Sequence, residues 1–279
     1  MGKHPVLFFV FTAILFSLSI AGLEITRIDV RFALMIDDMT KHLPGVFPTI
    51  NGVEYPDYFS PWFYCSFLTT GFGHWVNYWT LTLPAILAGS YTVFMTWKTG
   101  SLFSEKIGLY AVLFSFLAFE YTGVFVSFGI DAPVAAAGVT MLYLLERYKE
   151  KLSWKIHLSF ALLLCFCLAV RGGLGLVVFG AAAGGWLLAS RKWKQVFTFG
   201  LTGAAASIFG VAVLYLLIRL QGGNELWEGF LQWQITSRMA DSDYFYYFTA
   251  GLLSYSPGIL IFLLIVIVLN RRLITGETA

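Results

Sequence analysis

Four ionisable residues stand where an apolar chain has least reason to keep a charge. Asp29 follows the first apolar run, Glu120 lies inside another, Asp131 stands at the mouth of the next, and Arg171 falls between two more. Holding an ionised group against hydrocarbon costs several kcal/mol, so each of these reads first as a functional residue. Asp29, Asp131 and Arg171 fall on one side of the membrane in the topology set out below. Two carboxylates and a guanidinium brought to one rim suit transfer from a phosphate-linked donor. A carboxylate can accept the proton of an attacking hydroxyl, and arginine can hold a phosphate leaving group bidentately and neutralise it. The same three residues read equally as helix caps that pair with one another. Glu120 either lines a water-filled cavity or sits protonated and hydrogen-bonded among helices.

The elements that must position these groups are set by composition. Of 279 residues, 58% are hydrophobic and only 12% charged, with mean hydropathy +0.75. A soluble domain carries about 25% charge, so the solvent of this chain is lipid. Its Phe, Tyr and Trp side chains suit lipid-facing and headgroup-level positions. A net charge of +2 provides no field that would draw nucleic acid. Cys165 and Cys167 are two apart in an apolar run and would point about 200° apart on a helix; Cys65 is a lone thiol. Neither a disulfide framework nor a thiolate metal centre is expected. His42 and His74 lack metal-ligand spacing.

The expected fold is all-α and polytopic. Apolar runs near 5–23, 76–97, 107–127, 132–146, 156–170, 173–190, 196–218 and 246–269 give about eight transmembrane helices. The run 5–23 is longer than a secretory h-region and reads as an uncleaved first helix. Basic residues cluster at Lys98 and Lys106, at Arg147–Lys155, at Arg191–Lys194 and at Arg271-Arg272. Every second connection is therefore basic, which places those connections and the N-terminus in the cytoplasm. The localisation that follows is a multi-pass bacterial-type inner (plasma) membrane with the active face outside. Residues 1–270 read as one transmembrane domain and 271–279 as a cytoplasmic tail. Two outer segments, 24–75 and 219–245, are too long to be connectors. The first opens with a helical stretch, IDVRFALMIDDMTKH, whose Asp37 and Lys41 form an i,i+4 pair and whose apolar face suits the interface. Very tight turns are expected at 128–131 and 171–172, and the glycines around Arg171 read as a turn or as close helix packing.

Four stretches in this order resemble the C-type polytopic glycosyltransferases that use a polyprenyl-phosphate sugar donor, such as the protein O-mannosyltransferases and the lipid A aminoarabinose transferases. Asp29-Val30-Arg31-Phe32-Ala33 is similar to that family's acidic-x-Arg-aromatic-Ala motif, and Asn51-Gly52-Val53-Glu54-Tyr55-Pro56-Asp57 to its Asn-Gly-x-x-Tyr-x-acid segment. Asp131-Ala132-Pro133 resembles the second acid, and Trp227 to Tyr247, with Arg238 before an aromatic run, resembles an outer loop of the family. The chain departs from the pattern at Ile28, where a further acid is usual, at Tyr58, where a lysine is expected, and at Arg171-Gly172, where Lys-Gly is usual. Members usually continue through further helices, so the chain reads as lacking a C-terminal half.

The resemblance implies a membrane glycosyltransferase that moves a sugar from a polyprenyl-phosphate carrier to a lipid or protein acceptor on the outer face. Asp29 and Asp131 would be catalytic; Arg31, Asp57, Arg171, Arg238 and Glu120 would bind substrate. Arg238 reads equally as an anchor to anionic headgroups. No metal ligands and no definite cofactor are implied, and a divalent cation is compatible with the pattern. The competing readings are an inactive or truncated relative that binds a lipid-linked sugar, and a transporter component. A transporter would place charges near the midplane and often repeat its halves.

Overall fold

The computed structural model describes residues 5–25, 28–117, 123 and 125–232. The chain is mostly helical. Eight α-helices and one two-stranded sheet are present among the described residues. In chain order these are α1 (Pro5–Ser19), α2 (Ile28–Asp38), β1 (Thr49–Ile50), β2 (Val53–Glu54), α3 (Ser60–Thr69), α4 (Tyr78–Gly100), α5 (Glu105–Leu117), α6 (Ala132–Arg147), α7 (Trp154–Ala189) and α8 (Trp193–Leu231). The expected run 246–269 lies outside the described residues, as do residues 118–122 and 124 of the run 107–127. Helices α7 and α8 are long and apolar enough to cross a membrane.

Each of these two long helices is broken at a glycine. In α7 the break is Gly172, with φ +64° and ψ −145°, a backbone region that only glycine adopts freely. The break reverses the chain. Phe160 and Phe179 would stand about 28 Å apart on a continuous helix, yet their rings are 5.4 Å apart. The reversal is tight enough that a Cβ on Gly175 would meet the Cys167 carbonyl oxygen at 2.2 Å. α7 is therefore a helical hairpin with arms 154–171 and 173–189, matching the expected turn at 171–172. Arm lengths of about 26 Å are close to the hydrocarbon thickness of about 30 Å.

The second break is Gly223 in α8, with φ +70° and ψ −152°. Here the chain also folds back, because the Tyr215 and Trp227 rings are 5.0 Å apart. Residues 219–222, expected to open the second outer segment, continue the helix as far as the break at Gly223. The following turns bring Phe230 between Phe47 and Phe59 at 5.8 and 5.6 Å. Gln221, next to the break, accepts a hydrogen bond from the Val46 amide at 2.6 Å and donates one to Glu54. A cluster of Phe47, Phe59, Leu214, Ile218 and Phe230 thereby joins the two long segments.

The first of those segments is ordered by a carboxylate. Asn51 and Gly52, with φ +55° and +76°, form the Asn-Gly turn favoured in two-residue hairpins, and the register pairs Thr49 with Glu54 and Ile50 with Val53. Buried Asp38, at the end of α2, accepts hydrogen bonds from the Thr49 hydroxyl and, at 3.0 Å, from the Gly52 amide. The Thr49 hydrogen bond, the largest effect, holds the Asp38 carboxyl below its ordinary value; Gly52, His42 and Lys41 add to this, and burial opposes it. α2 ends at Asp38 rather than near His42, because Asp38 turns to the hairpin and Met39–His42 complete a turn.

Candidate functional site

The site is built on an aromatic block that joins four stretches of chain. Phe32 of α2 stacks on Phe128 with ring centroids 4.3 Å apart and meets Tyr58 edge-on at 5.2 Å. Trp62 of α3 donates its indole N–H to the Phe128 carbonyl oxygen at 3.3 Å. These residues are buried or half-buried, and each offset or edge-on aromatic pair adds about 0.5–1.5 kcal/mol beyond area burial. The block fixes the start of α2 and the turn 128–131 against each other. Asp29 lies in the first turn of α2, three residues before Phe32, and Asp131 follows Phe128 by three. The side chain of Asp29 lies outside the described residues, as do Glu120 and Arg238 entirely.

Asp131 is the residue preceding α6, where a carboxylate usually caps the helix. It makes no capping hydrogen bond. Instead it accepts from Arg171 Nε at 2.6 Å, across forty positions of chain. The Arg171 side chain is 18% exposed and that of Asp131 51%. A pair so open to solvent contributes only about 0–1 kcal/mol to stability, so stability alone is a weak reason for it. Both residues line a cavity of about 320 Å³ whose other walls are Phe125, Val134, Ala135, Leu174 and Val178. An ion pair in the wall of an otherwise apolar recess is the arrangement an amphiphile with an anionic head would fit.

Arg31 belongs to the same neighbourhood. Its Nη1 donates to the Tyr55 hydroxyl at 3.2 Å, and the Tyr55 ring stacks on Tyr58 at 5.7 Å. Burial, then the Asp57 carboxylate, raises the Tyr58 phenol above its ordinary value, while Arg31 and Arg171 pull it down. One phenol is therefore within electrostatic reach of both guanidiniums and of Asp57. The structure thus joins Asp131 directly to Arg171 and sets Tyr58 in the field of Arg31, Asp57 and Arg171, and it adds Tyr55 and Tyr58, which sequence reasoning does not single out as site residues. The signal for them was the Asn-Gly turn: it sets the hairpin, and Tyr55 directly follows β2. Among the described residues no three His, Cys, Asp or Glu side chains gather as a metal centre would require.

Two helices long and apolar enough to cross a membrane give the class, a membrane protein. The comparison with known families narrows this class. Residues 59–220 match the family model described as dolichyl-phosphate-mannose-protein mannosyltransferase. That is more than half of the chain, and the chain belongs to this family of C-type membrane glycosyltransferases. The matched stretch includes Asp131 and Arg171; Asp29, Arg31 and Asp57 precede it. No curated protein and no solved structure matches the chain.

Proposed function

We propose that the protein transfers a sugar from a polyprenyl-phosphate carrier to an acceptor on the outer face of the membrane. The observation that carries this reading is the Asp131–Arg171 pair lining an otherwise apolar cavity in a chain of this family. Asp29 accepts the proton of the acceptor hydroxyl, whose oxygen then attacks the anomeric carbon. The bond from that carbon to the carrier phosphate breaks, and the electron pair leaves with the phosphate. Arg171, joined by Arg238, holds the departing anion, and these charges act more strongly where water is excluded. Asp131 keeps the Arg171 guanidinium aimed, and Arg31, Asp57 and Glu120 bind substrate. The isoprenoid chain enters the apolar recess beside α6. In a topology of about eight membrane-spanning helices in one domain, 1–270, with the N-terminus in the cytoplasm, these groups belong to the outer side except Glu120, which lies inside a span.

The test uses membranes containing the protein and a radiolabelled polyprenyl-phosphate sugar. Transfer to acceptor is expected to fall by about 10²–10⁴-fold in Asp29→Asn, with the amount of inserted protein unchanged. Equal transfer by Asp29→Asn and the parent removes Asp29 from the mechanism.

A further inference from the structure

The end of the helices away from the Asp131–Arg171 pair carries a second charged surface with another design. There the turns 148–153 and 190–192 lie side by side. Lys192 Nζ donates to the Lys149 carbonyl oxygen, and Lys149 Nζ donates to Glu146 Oε1 at 2.8 Å. Trp186 Nε1 donates to Glu146 Oε2 at 3.1 Å, and Lys192 Nζ stands 5.9 Å from the Trp186 ring centre. Glu146 is thereby shared between an indole and an ammonium group, and the two turns form one platform.

Around this platform Arg147, Lys151, Lys155, Arg191 and Lys194 are all exposed. Among the described residues none of the five makes an ion pair. Across 146–155 and 191–194, seven cationic side chains stand against two carboxylates, Glu146 and Glu150. Two indoles flank the cations. Trp154 and Trp193, the first residues of α7 and α8, are 69% and 67% exposed. A bare indole is out of place in water, but its amphipathic ring is at home at headgroup level, so the pair sets the depth at which the cations meet the membrane.

Arg191 adds a backbone observation. It occupies the left-handed region, φ +53°, in a helix-ending turn where the Arg191 amide bonds Leu188 and the Lys192 amide bonds Leu187. Glycine is the residue that this turn prefers, and arginine there is disfavoured by its Cβ. The turn gives no reason for a guanidinium. The outward charge does.

We infer that this surface binds the phosphates of anionic phospholipids in the adjoining leaflet, with Arg147, Lys151, Lys155, Arg191 and Lys194 as the cationic contacts and Trp154 and Trp193 as anchors. A soluble polyanion would satisfy the cations but would leave both indoles in water. Lipid satisfies both. The inference stands apart from sugar transfer, which takes place at the other end.

The purified full chain is tested in detergent micelles titrated with phosphatidylglycerol or with phosphatidylcholine of the same acyl chains, counting retained lipids by native mass spectrometry. Phosphatidylglycerol is expected to bind roughly tenfold tighter or better than phosphatidylcholine, and added salt is expected to weaken it. Arg191→Gly, which suits the turn, is expected to keep the thermal midpoint measured with phosphatidylcholine and to weaken phosphatidylglycerol binding about fivefold. Replacing Arg147, Lys151, Lys155 and Lys194 by Gln in that background should abolish the preference. Lys41→Gln with Arg219→Gln, away from this surface, should leave it intact. Equal retention of the two lipids by the parent overturns the inference. So does an unchanged preference in Arg191→Gly, or displacement of phosphatidylglycerol by millimolar inorganic phosphate.

Discussion

The two ends of the helices use charge in opposite ways. At the end that holds Asp131, the ion pair is long-range, with Arg171 reaching back forty positions, and Arg31 hydrogen-bonds the neutral Tyr55 hydroxyl across twenty-four. At the other end the ion pair is local, Lys149 with Glu146 one helical turn away; the long-range bonds there, from Trp186 to Glu146 and from Lys192 to the Lys149 carbonyl, form no second ion pair, and five cations face outward without an ion pair among the described residues. The backbone differs in parallel. The first end carries a hairpin, a short helix and two glycine breaks, whereas the second is closed by brief turns. Long-range pairing holds a polar group at a defined point, as a reaction requires. Local pairing with many outward cations makes a surface that meets a charged plane. The two arrangements are those that the proposed transfer and the inferred lipid contact each require.

Removing charge at one end and then the other would sharpen this contrast. Beyond Asp29→Asn, the largest effect is expected for Asp131→Asn, which keeps the shape but leaves Arg171 without its ionic partner. Labelled-sugar transfer should drop roughly 10²-fold, the order seen when reacting groups lose their alignment. A drop of less than threefold would mean that the pair is only a surface contact. Phe32→Ala comes next. It removes no charge, yet it unlinks α2 from the turn before Asp131. Transfer is expected to fall about tenfold, and a buried ring lost in this way costs about 3–5 kcal/mol of packing, to be read as a lower thermal midpoint. If transfer is unaffected, the aromatic block does not position the site.

Smaller effects follow on the first outer segment. Asp38 has a depressed pKa in the folded protein, so its contribution to stability is fully present above the ordinary carboxylate value of 3.8 and is lost as pH falls through the lower folded value. Asp38→Asn is therefore expected to destabilise the protein at pH 7 by about 1–3 kcal/mol, for charge-assisted hydrogen bonds lost at a buried group, read as a lower thermal midpoint. The gap between variant and parent should close only in strong acid. A gap that is the same at pH 3 and pH 7 would separate the hairpin from the charge on Asp38. Least of all, Lys41→Gln breaks an exposed i,i+4 pair with Asp37 and should change stability by less than about 0.5 kcal/mol. A larger loss would mean that the start of the outer segment depends on surface charge.

Much of the fold could be read from local pattern. The apolar runs announced the long helices, and Gly172 announced the reversal, because a run too long for one crossing, interrupted by Arg-Gly-Gly, has to turn where only glycine tolerates the backbone. The Asn-Gly pair announced its turn in the same way. In the expected second outer segment the residues up to Leu231 are helical apart from the break at Gly223, a continuation that the fall in hydropathy at Arg219 does not announce. Asp131 and Arg171 stand out by cost, since charges beside lipid need a reason, and Asp131 also by the resemblance of Asp131-Ala132-Pro133 to the family's second acid.

What the sequence determined by itself is the solvent of the protein, its helical character, the glycine turns and the residues whose charge requires an explanation; each depends on composition or on neighbours a few positions apart. The tertiary structure decided the partners. Asp131 could have capped its own helix but turns to Arg171; Arg31 bonds Tyr55; Gln221 reaches Val46 and Glu54. Those choices follow from packing, because the stack of Phe32 on Phe128 and the close approach at Gly175 bring together backbones that no local rule relates.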